Sequence, residues 1–128
     1  MVLDSSAIIA IVLGEARAQH LIETVSKAEI AAVAAPMVLE SSMVLWRKLN
    51  KNPLPQLLEL LRSMDVEIVL FDDLHCQVAV KAFERFGKGR HRAALNFGDC
   101  MSVATAQVAG RPLLYVGDDF TKAGLSPL

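Results

Sequence analysis

Five carboxylates stand in apolar surroundings in four separate segments of this chain, and they are the side chains best suited to do chemistry. They are Asp4, Glu40, Asp99 and the adjacent pair Asp118 and Asp119. If the fold brings them together, they repel one another and raise each other's pKa values unless cations are bound. None of the three histidines lies beside these segments, and an all-oxygen set of ligands favours Mg²⁺ or Mn²⁺ over zinc. Hard cations held by carboxylates are typical of enzymes that hydrolyse phosphodiesters.

Each of these acids also has an ordinary structural explanation. Asp4 could cap a helix, Asp99 could favour a helix N-terminus, and Asp118 and Asp119 could belong to a turn. Glu40 could lie at the solvated edge of an amphipathic helix. Two serines follow Asp4 directly and can cap the first helix themselves, so we expect Asp4 to be free for another role.

Basic residues are concentrated in two short segments. Residues 81–92 contain five of them against one acid, and a second cluster lies at 47–51; the basic residues are Lys81, Arg85, Lys88, Arg90, Arg92, Arg47, Lys48 and Lys51. The formal charge of the whole chain is only −1, so an acidic pocket would leave the remaining surface positive. That combination suits a polyanionic substrate. The alternative is that both segments are ordinary solvated surface.

Short apolar strands alternate with amphipathic helices along the chain. We predict strands at 1–3, 30–34, 67–71 and 113–116, and helices at 7–13, 15–27, 36–49, 56–64, 72–86 and 99–108. Two glycines and dense positive charge predict a loop at 87–92, and 117–120 is predicted to form a tight turn. The alternation indicates an α/β fold with a small, mostly parallel sheet flanked by helices. Ligands of such folds bind at the carboxyl ends of the strands, where these acids fall.

Size and composition indicate one domain over residues 1–128, in the cytoplasm. A chain of 128 residues is long enough for one sizeable core and too short for two. The longest apolar run, 7–13, is far shorter than the roughly 20 residues that cross a bilayer, and no signal peptide is recognisable. We expect the two cysteines, Cys76 and Cys100, to be buried free thiols in a reducing compartment.

Four segments resemble, in their order and spacing, the motifs of VapC toxins, the PIN-domain ribonucleases of VapBC toxin–antitoxin systems. The first reads Val-Leu-Asp-Ser-Ser-Ala at 2–7, and the others lie at 35–40, 87–100 and 112–120. The resemblance extends from residue 1 to about residue 122. Ser5 stands where these toxins more often have threonine.

The resemblance implies a PIN-like α/β sandwich and a toxin that acts as an Mg²⁺-dependent endoribonuclease, with Mn²⁺ able to substitute. It implies hydrolysis of RNA phosphodiester bonds by a metal-activated water. Asp4, Glu40 and Asp99 are carried over as catalytic residues and metal ligands, and Ser6 as a hydroxyl that orients Asp4.

A fourth catalytic acid is implied near the end of the domain, and the sequence leaves open whether Asp118 or Asp119 supplies it. We expect the basic side chains of Lys88, Arg90 and Arg92 to bind the RNA backbone beside these acids.

The same resemblance implies protein partners. Residues 31–61 hold more apolar side chains than one small core needs, among them Trp46, Leu49, Leu57, Leu58 and Leu61. We expect part of this surface to form a homodimer and part to receive a VapB-type antitoxin, giving a toxin–antitoxin hetero-oligomer without contact to a membrane. The alternative is that Trp46 is an ordinary core residue.

Two other classes of protein remain as alternatives. An aspartate-dependent phosphatase or receiver domain needs a second acid two residues after the nucleophile, or an acid pair before it with a lysine late in the chain. Residue 6 is serine, and no lysine is recognisable in that role. A non-catalytic, PIN-like RNA-binding module would be favoured if acids were missing, and all of them are present.

Overall fold

The computed structural model describes residues 1–125, so residues 126–128 of the expected domain lie outside the described residues. Four parallel strands form the sheet: β1 (Val2–Leu3), β2 (Ala31–Ala34), β3 (Val66–Val69) and β4 (Leu113–Leu114). Their order across the sheet is β3-β2-β1-β4. The predicted α/β architecture with a parallel sheet is therefore confirmed.

Seven helices surround the sheet within the described part of the chain. They are α1 (Ser5–Val12), α2 (Ala18–Ser26), α3 (Ala35–Leu49), α4 (Leu54–Ser63), α5 (Asp73–Phe86), α6 (Phe97–Ala109) and α7 (Asp119–Lys122). Helix α6 begins two residues before its predicted start because the Asn96 side chain accepts a hydrogen bond from the Asp99 amide. Helix α7 was not predicted, since its first residue falls in the segment expected to be a tight turn.

All four strand predictions differ in length from the structure, and β1 begins at Val2, one residue after its predicted start. The prediction at 67–71 is wrong at both ends, because β3 covers Val66–Val69 and leaves Phe71 outside the sheet. The predictions at 30–34 and 113–116 each extend beyond the observed strands. Strand β4 ends at Leu114, and the Val116 amide donates a hydrogen bond to the Ser6 hydroxyl instead of to a strand.

Apolar side chains fill both faces of the sheet. In β1, Leu3 belongs to the cluster that includes α1 and α3, and Val2 belongs to a second cluster formed with α6. Successive side chains of a strand point to opposite faces, so a strand buried on both faces is apolar throughout. This explains why the strands read as short apolar runs without alternation.

The basic segment 87–92 is held against α5 and α6 by backbone hydrogen bonds. Lys88 donates its amide to the Leu95 carbonyl at 3.0 Å, and Leu95 donates to the Phe86 carbonyl at 3.0 Å. A side chain at Gly87 would not fit, because its Cβ would lie 2.4 Å from the Phe83 ring and carbonyl. The loop that carries the positive charge is thus fixed at both ends.

Two further expectations can be compared with the structure. Both cysteines are free thiols as expected, and Cys100 is buried, but Cys76 is exposed, so the expectation that both are buried was wrong for Cys76. Among the described residues, no helix has the length and apolar character needed to cross a membrane.

Candidate active site

Asp4 lies at the carboxyl end of β1 and is almost completely buried. Its Oδ2 accepts hydrogen bonds from the Ser6 amide at 2.9 Å and the Ser6 hydroxyl at 2.6 Å, and its Oδ1 accepts one from the Ser102 hydroxyl at 2.5 Å. Asp4 is itself the N-cap of α1. The expectation that Ser5 or Ser6 caps this helix was therefore wrong. Asp4 has a structural role as the helix cap, and this role is compatible with a catalytic one.

Ser6 connects Asp4 to the end of β4. Its hydroxyl accepts a hydrogen bond from the Val116 amide at 3.0 Å, which directs its own proton to Asp4. Ser102 was missed by sequence reasoning, although it lies three residues after Asp99 and thus on the same side of α6. A serine inside a helix has many ordinary explanations, so its type alone gave no signal.

Asp99 lies in the first turn of α6, where it forms a capping box with Asn96: each side chain accepts a hydrogen bond from the other residue's amide. Burial is the largest cause that raises the pKa of its carboxyl group, and the negative charges of Asp4, Asp119 and Glu40 add to it, so that the pKa lies at about 6. The hydrogen bond from the Asn96 amide acts in the opposite direction. The charges that act on Asp99 come from three separate segments, so the fold brings these four acids to one site.

Glu40 reaches this site from α3 through a gap left by a glycine. A Cβ atom at Gly98 would lie 2.5 Å from Oε1 and 2.7 Å from Oε2 of Glu40. Gly98 therefore makes room for the Glu40 carboxylate directly beside Asp99. Sequence reasoning missed this role, because a glycine in front of a helix is common in any fold.

Asp118 and Asp119 are exposed and share one lysine. Lys122 Nζ lies 2.8 Å from Asp118 Oδ2 and 3.7 Å from Asp119 Oδ1. The hydrogen bond from Lys122 lowers the pKa of Asp118. Of the two acids, Asp119 is the one whose charge raises the pKa of Asp99.

The three basic residues of the loop between α5 and α6 are exposed. Within residues 1–125, none of Lys88, Arg90 and Arg92 forms an ion pair with a carboxylate. The Arg90 guanidinium lies over the ring of Phe83, 5.5 Å from its centre. The positive charge of this loop is therefore available to an anionic ligand.

The donor set suits a hard divalent cation. Asp4, Glu40, Asp99 and Asp119 offer only carboxylate oxygens, the ligands that Mg²⁺ and Mn²⁺ prefer. In the part of the chain that the structure describes, no three acidic, histidine or cysteine side chains already converge as a metal cage. The pKa of Asp99 is raised first by burial and then by the neighbouring negative charges, and a bound cation would favour the ionised carboxylate.

Comparison with other proteins places this site in a family. The PIN domain model matches residues 1–125. Ribonuclease VapC36 of Mycobacterium tuberculosis is 41% identical over 128 residues, covering 98% of this chain and 91% of the relative. The crystal structure of Mycobacterium tuberculosis VapC20, a toxin that cleaves the sarcin–ricin loop, aligns over 99% of this chain and 97% of its own with a TM-score of 0.77 at 20% identity. A toxin–antitoxin complex from Klebsiella pneumoniae aligns over 93% of this chain and 88% of its own, with a TM-score of 0.69 at 19% identity.

The two solved structures show the fold, and the family model and the relative show the family. The chain belongs to the PIN-domain family and, within it, to the VapC ribonucleases. The predicted fold class and the predicted class of enzyme, a ribonuclease of the toxin type, are both confirmed.

The raised pKa of Asp99 predicts a pH-dependent stability for the metal-free protein. A carboxyl group whose folded pKa is raised contributes stability below its unfolded pKa of about 4, and that stability is lost as pH rises through the folded pKa of about 6. We therefore expect Asp99→Asn, which keeps an oxygen for the Asn96 amide, to be more stable than wild type above that range. The difference should shrink toward acid, as measured by urea midpoints in EDTA.

Asp118→Asn is the matched control, because Lys122 lowers the pKa of Asp118. This variant should be no more stable than wild type at neutral pH. A stability gain for Asp99→Asn that does not change with pH would contradict the assignment of charge repulsion to Asp99.

Proposed function

We propose that this PIN domain is an endoribonuclease that depends on a divalent cation, Mg²⁺ with Mn²⁺ able to substitute, and that it acts as the toxin of a toxin–antitoxin pair. Asp4, Glu40 and Asp99 hold the cation, and Asp119 completes the site. The observation that carries the proposal is that the Glu40 carboxylate from α3 fills the space beside Gly98, next to Asp99. The pKa of Asp99 is raised by burial and by the charges of Asp4, Asp119 and Glu40, which come from distant segments. Such repulsion is relieved when a cation binds.

The chemistry depends on how the chain holds its carboxylates. A divalent cation bound there would polarise the scissile phosphate and neutralise the charge that develops on it. The serines at 6 and 102 fix both oxygens of Asp4, so this carboxylate does not have to reorganise when the substrate binds. Asp99 releases its proton on cation binding, because the cation favours the ionised form.

The substrate is captured by positive charge beside these acids. Lys88, Arg90 and Arg92 are exposed and unpaired in the described structure, and they bind phosphates of single-stranded RNA. We place this reaction in the cytoplasm, where RNA is present.

The alternative of an aspartate-dependent phosphatase or receiver domain has one feature in its favour. Contrary to expectation, a late lysine does lie among the acids, since Lys122 contacts Asp118 and Asp119. However, Ser6 occupies the position where a receiver or phosphatase needs its second acid, and its hydroxyl is committed to Asp4. The ribonuclease remains the function that this geometry supports best.

Single substitutions of the acids test the proposal. Asp4→Asn, Glu40→Gln and Asp99→Asn should each lower kcat for RNA cleavage by about a hundredfold or more, because each removes charge that holds the cation. Asp119→Asn should lower it more than Asp118→Asn, whose carboxylate is engaged by Lys122. Glu59→Gln, an exposed acid on α4, is the control and should retain full activity.

Metal dependence is measured on the same protein. Cleavage should stop in excess EDTA and return with Mg²⁺ or Mn²⁺, and binding of Mg²⁺ should release protons near pH 6, where Asp99 titrates. Full cleavage in EDTA would contradict the proposal. RNA binding without cleavage under all of these conditions would favour a non-catalytic RNA-binding module.

The role of the basic loop is tested by its salt dependence. Replacement of Lys88, Arg90 and Arg92 by alanine should weaken RNA binding, and each lost phosphate contact should lower the logarithmic salt slope by roughly 0.7. Affinity for Mg²⁺ should not change, since the loop supplies no carboxylate. The matched control is the alanine variant of Arg47, Lys48 and Lys51, which removes the same charge elsewhere. Equal effects of both triple variants would show that only net charge matters.

We further propose a VapB-type antitoxin as the partner, with a homodimer of this chain in the resulting hetero-oligomer. Leu39, Met43 and Trp46 are all at least half exposed and follow one another on one face of α3. The exposed apolar surface of residues 31–61 is smaller than predicted, because Leu57 and Leu61 belong to the core. A solved structure of the same fold is itself a toxin–antitoxin complex.

Trp46→Ala tests whether this face of α3 binds protein. A large aromatic side chain that is half exposed in the monomer is the kind of residue that dominates interfaces. The variant should weaken the homodimer or antitoxin binding by about tenfold or more, measured by sedimentation and by titration with the antitoxin. Leu70→Ala, equally apolar and more exposed, is the control. An unchanged mass and unchanged antitoxin affinity would contradict the proposal.

A further inference from the structure

A second surface feature lies beside the acidic site. Helices α5 and α6 leave between them an open apolar groove of about 540 Å³, lined by three aromatic rings: those of Phe71, Phe83 and Phe97. Neither the acids nor the basic loop needs such a groove for the roles given above. Three rings in one groove are notable in a chain with only seven aromatic residues, since they are nearly half of its aromatic side chains.

Phe97 is the residue least explained by folding. It is the first residue of α6 and is 80% exposed, so its ring adds little to the core. The helix is already capped by Asn96 and Asp99, and a phenylalanine contributes nothing to that cap. An exposed ring beside a reactive site is more simply explained by something that binds to it.

The groove is connected to the basic loop. Phe83 is 40% exposed and lines the groove, and the Arg90 guanidinium lies over its ring at 5.5 Å. A cation above an aromatic ring is attracted to the face of that ring. The loop that presents positive charge to a phosphate therefore reaches the rim of the groove.

The groove is also adjacent to the carboxylates. Phe97 precedes Asp99 by two residues, and the next residue, Cys100, lines the groove. Burial raises the pKa of the Cys100 thiol, and the negative charge of Asp99 raises it further. The groove therefore borders the first turn of α6, which carries Asp99.

We propose that this groove binds an unpaired nucleobase of the RNA next to the scissile phosphate, stacked on Phe97 and flanked by Phe83. The inference rests on the proposed ribonuclease function and adds a subsite to it. Unpaired bases stack on aromatic side chains and arginine planes, and their phosphates need nearby positive charge; the groove offers both within a few residues. An apolar helix of a protein partner would use the rings but would leave the Arg90 guanidinium at the rim without an anionic partner.

Two properties follow from this arrangement. Every base has a π face, so stacking selects for unpaired bases more than for sequence. Bases inside a duplex are already stacked on their neighbours and cannot enter the groove without unpairing. The enzyme should therefore cleave single-stranded segments in preference to duplex RNA.

The test measures binding of a short, fluorescently labelled, single-stranded RNA of mixed sequence, with Asp4→Asn present throughout to prevent cleavage. Added to this background, Phe97→Ala should weaken binding by about tenfold, the size expected for loss of one stacked base. The salt slope should not change, because no phosphate contact is removed. Phe97→Tyr should restore binding, whereas Leu70→Ala, equally exposed but outside the groove, should have no effect.

Abasic substitution identifies the base itself. One base of the RNA is removed at a time, and each abasic RNA is titrated with the Phe97 protein and with Phe97→Ala. At one position, loss of the base should weaken binding to the protein that retains Phe97. The same loss should have little further effect on binding to Phe97→Ala, because that variant already lacks the stacking contact. If Phe97→Ala unfolds, Phe97→Leu keeps the apolar bulk without the stacking face and answers the same question.

Other occupants give different results. Unchanged RNA affinity with a lower mass in sedimentation would make the groove an interface between copies of this chain. Unchanged RNA affinity with weaker antitoxin binding would make it an antitoxin site, and either result overturns the inference. Metal-independent cleavage by wild type would refute the proposed function alone, because RNA binding at the groove is measured without cleavage.

Discussion

Electrostatic repulsion among carboxylates is the constraint around which this fold is arranged. Burial and the charges of three other acids hold the pKa of Asp99 at about 6, so the site resists full ionisation until a cation binds. Buried Asp4 tolerates its charge because three hydrogen bonds reach its two oxygens, two of them from side-chain hydroxyls. The free-energy cost of burying these charges is offset by the two apolar clusters that cover both faces of the sheet.

The topology explains how distant acids meet. Parallel strands direct their carboxyl ends to one edge, and helices that begin there present backbone N–H groups and the positive end of their dipoles. Asp4 caps α1, and Asp99 sits in the first turn of α6, so capping and cation binding use the same positions. Glu40 differs because it lies inside α3 and reaches the site only where Gly98 leaves space. A helix-capping explanation and a catalytic one are thus not alternatives for Asp4 and Asp99.

The sequence was sufficient for features that depend on local pattern. Alternating apolar strands and helices predicted the parallel sheet, and acids after strand ends predicted which segments would meet. Features that depend on tertiary contact could not be read in this way. Ser102 becomes relevant only because α6 packs so that its hydroxyl reaches Asp4. Lys122 and the exposed ring of Phe97 gained their positions from a short helix and an early helix start, where predicted boundaries are least reliable.

The proposed roles separate the chemistry of cleavage from the recognition of RNA. The acids come from four separate segments. The positive charge and two of the three aromatic rings come from one continuous stretch, residues 83–97, at the junction of α5 and α6. That stretch is anchored by Leu95, which is completely buried in the second apolar cluster. The Ser102 hydroxyl, which donates a hydrogen bond to Asp4, also contacts the sulfur of Met37, a member of the first cluster. Because different clusters support the two parts, substitutions at 83–97 can change which RNA is bound while the hydrogen bonds that hold Asp4 stay in place.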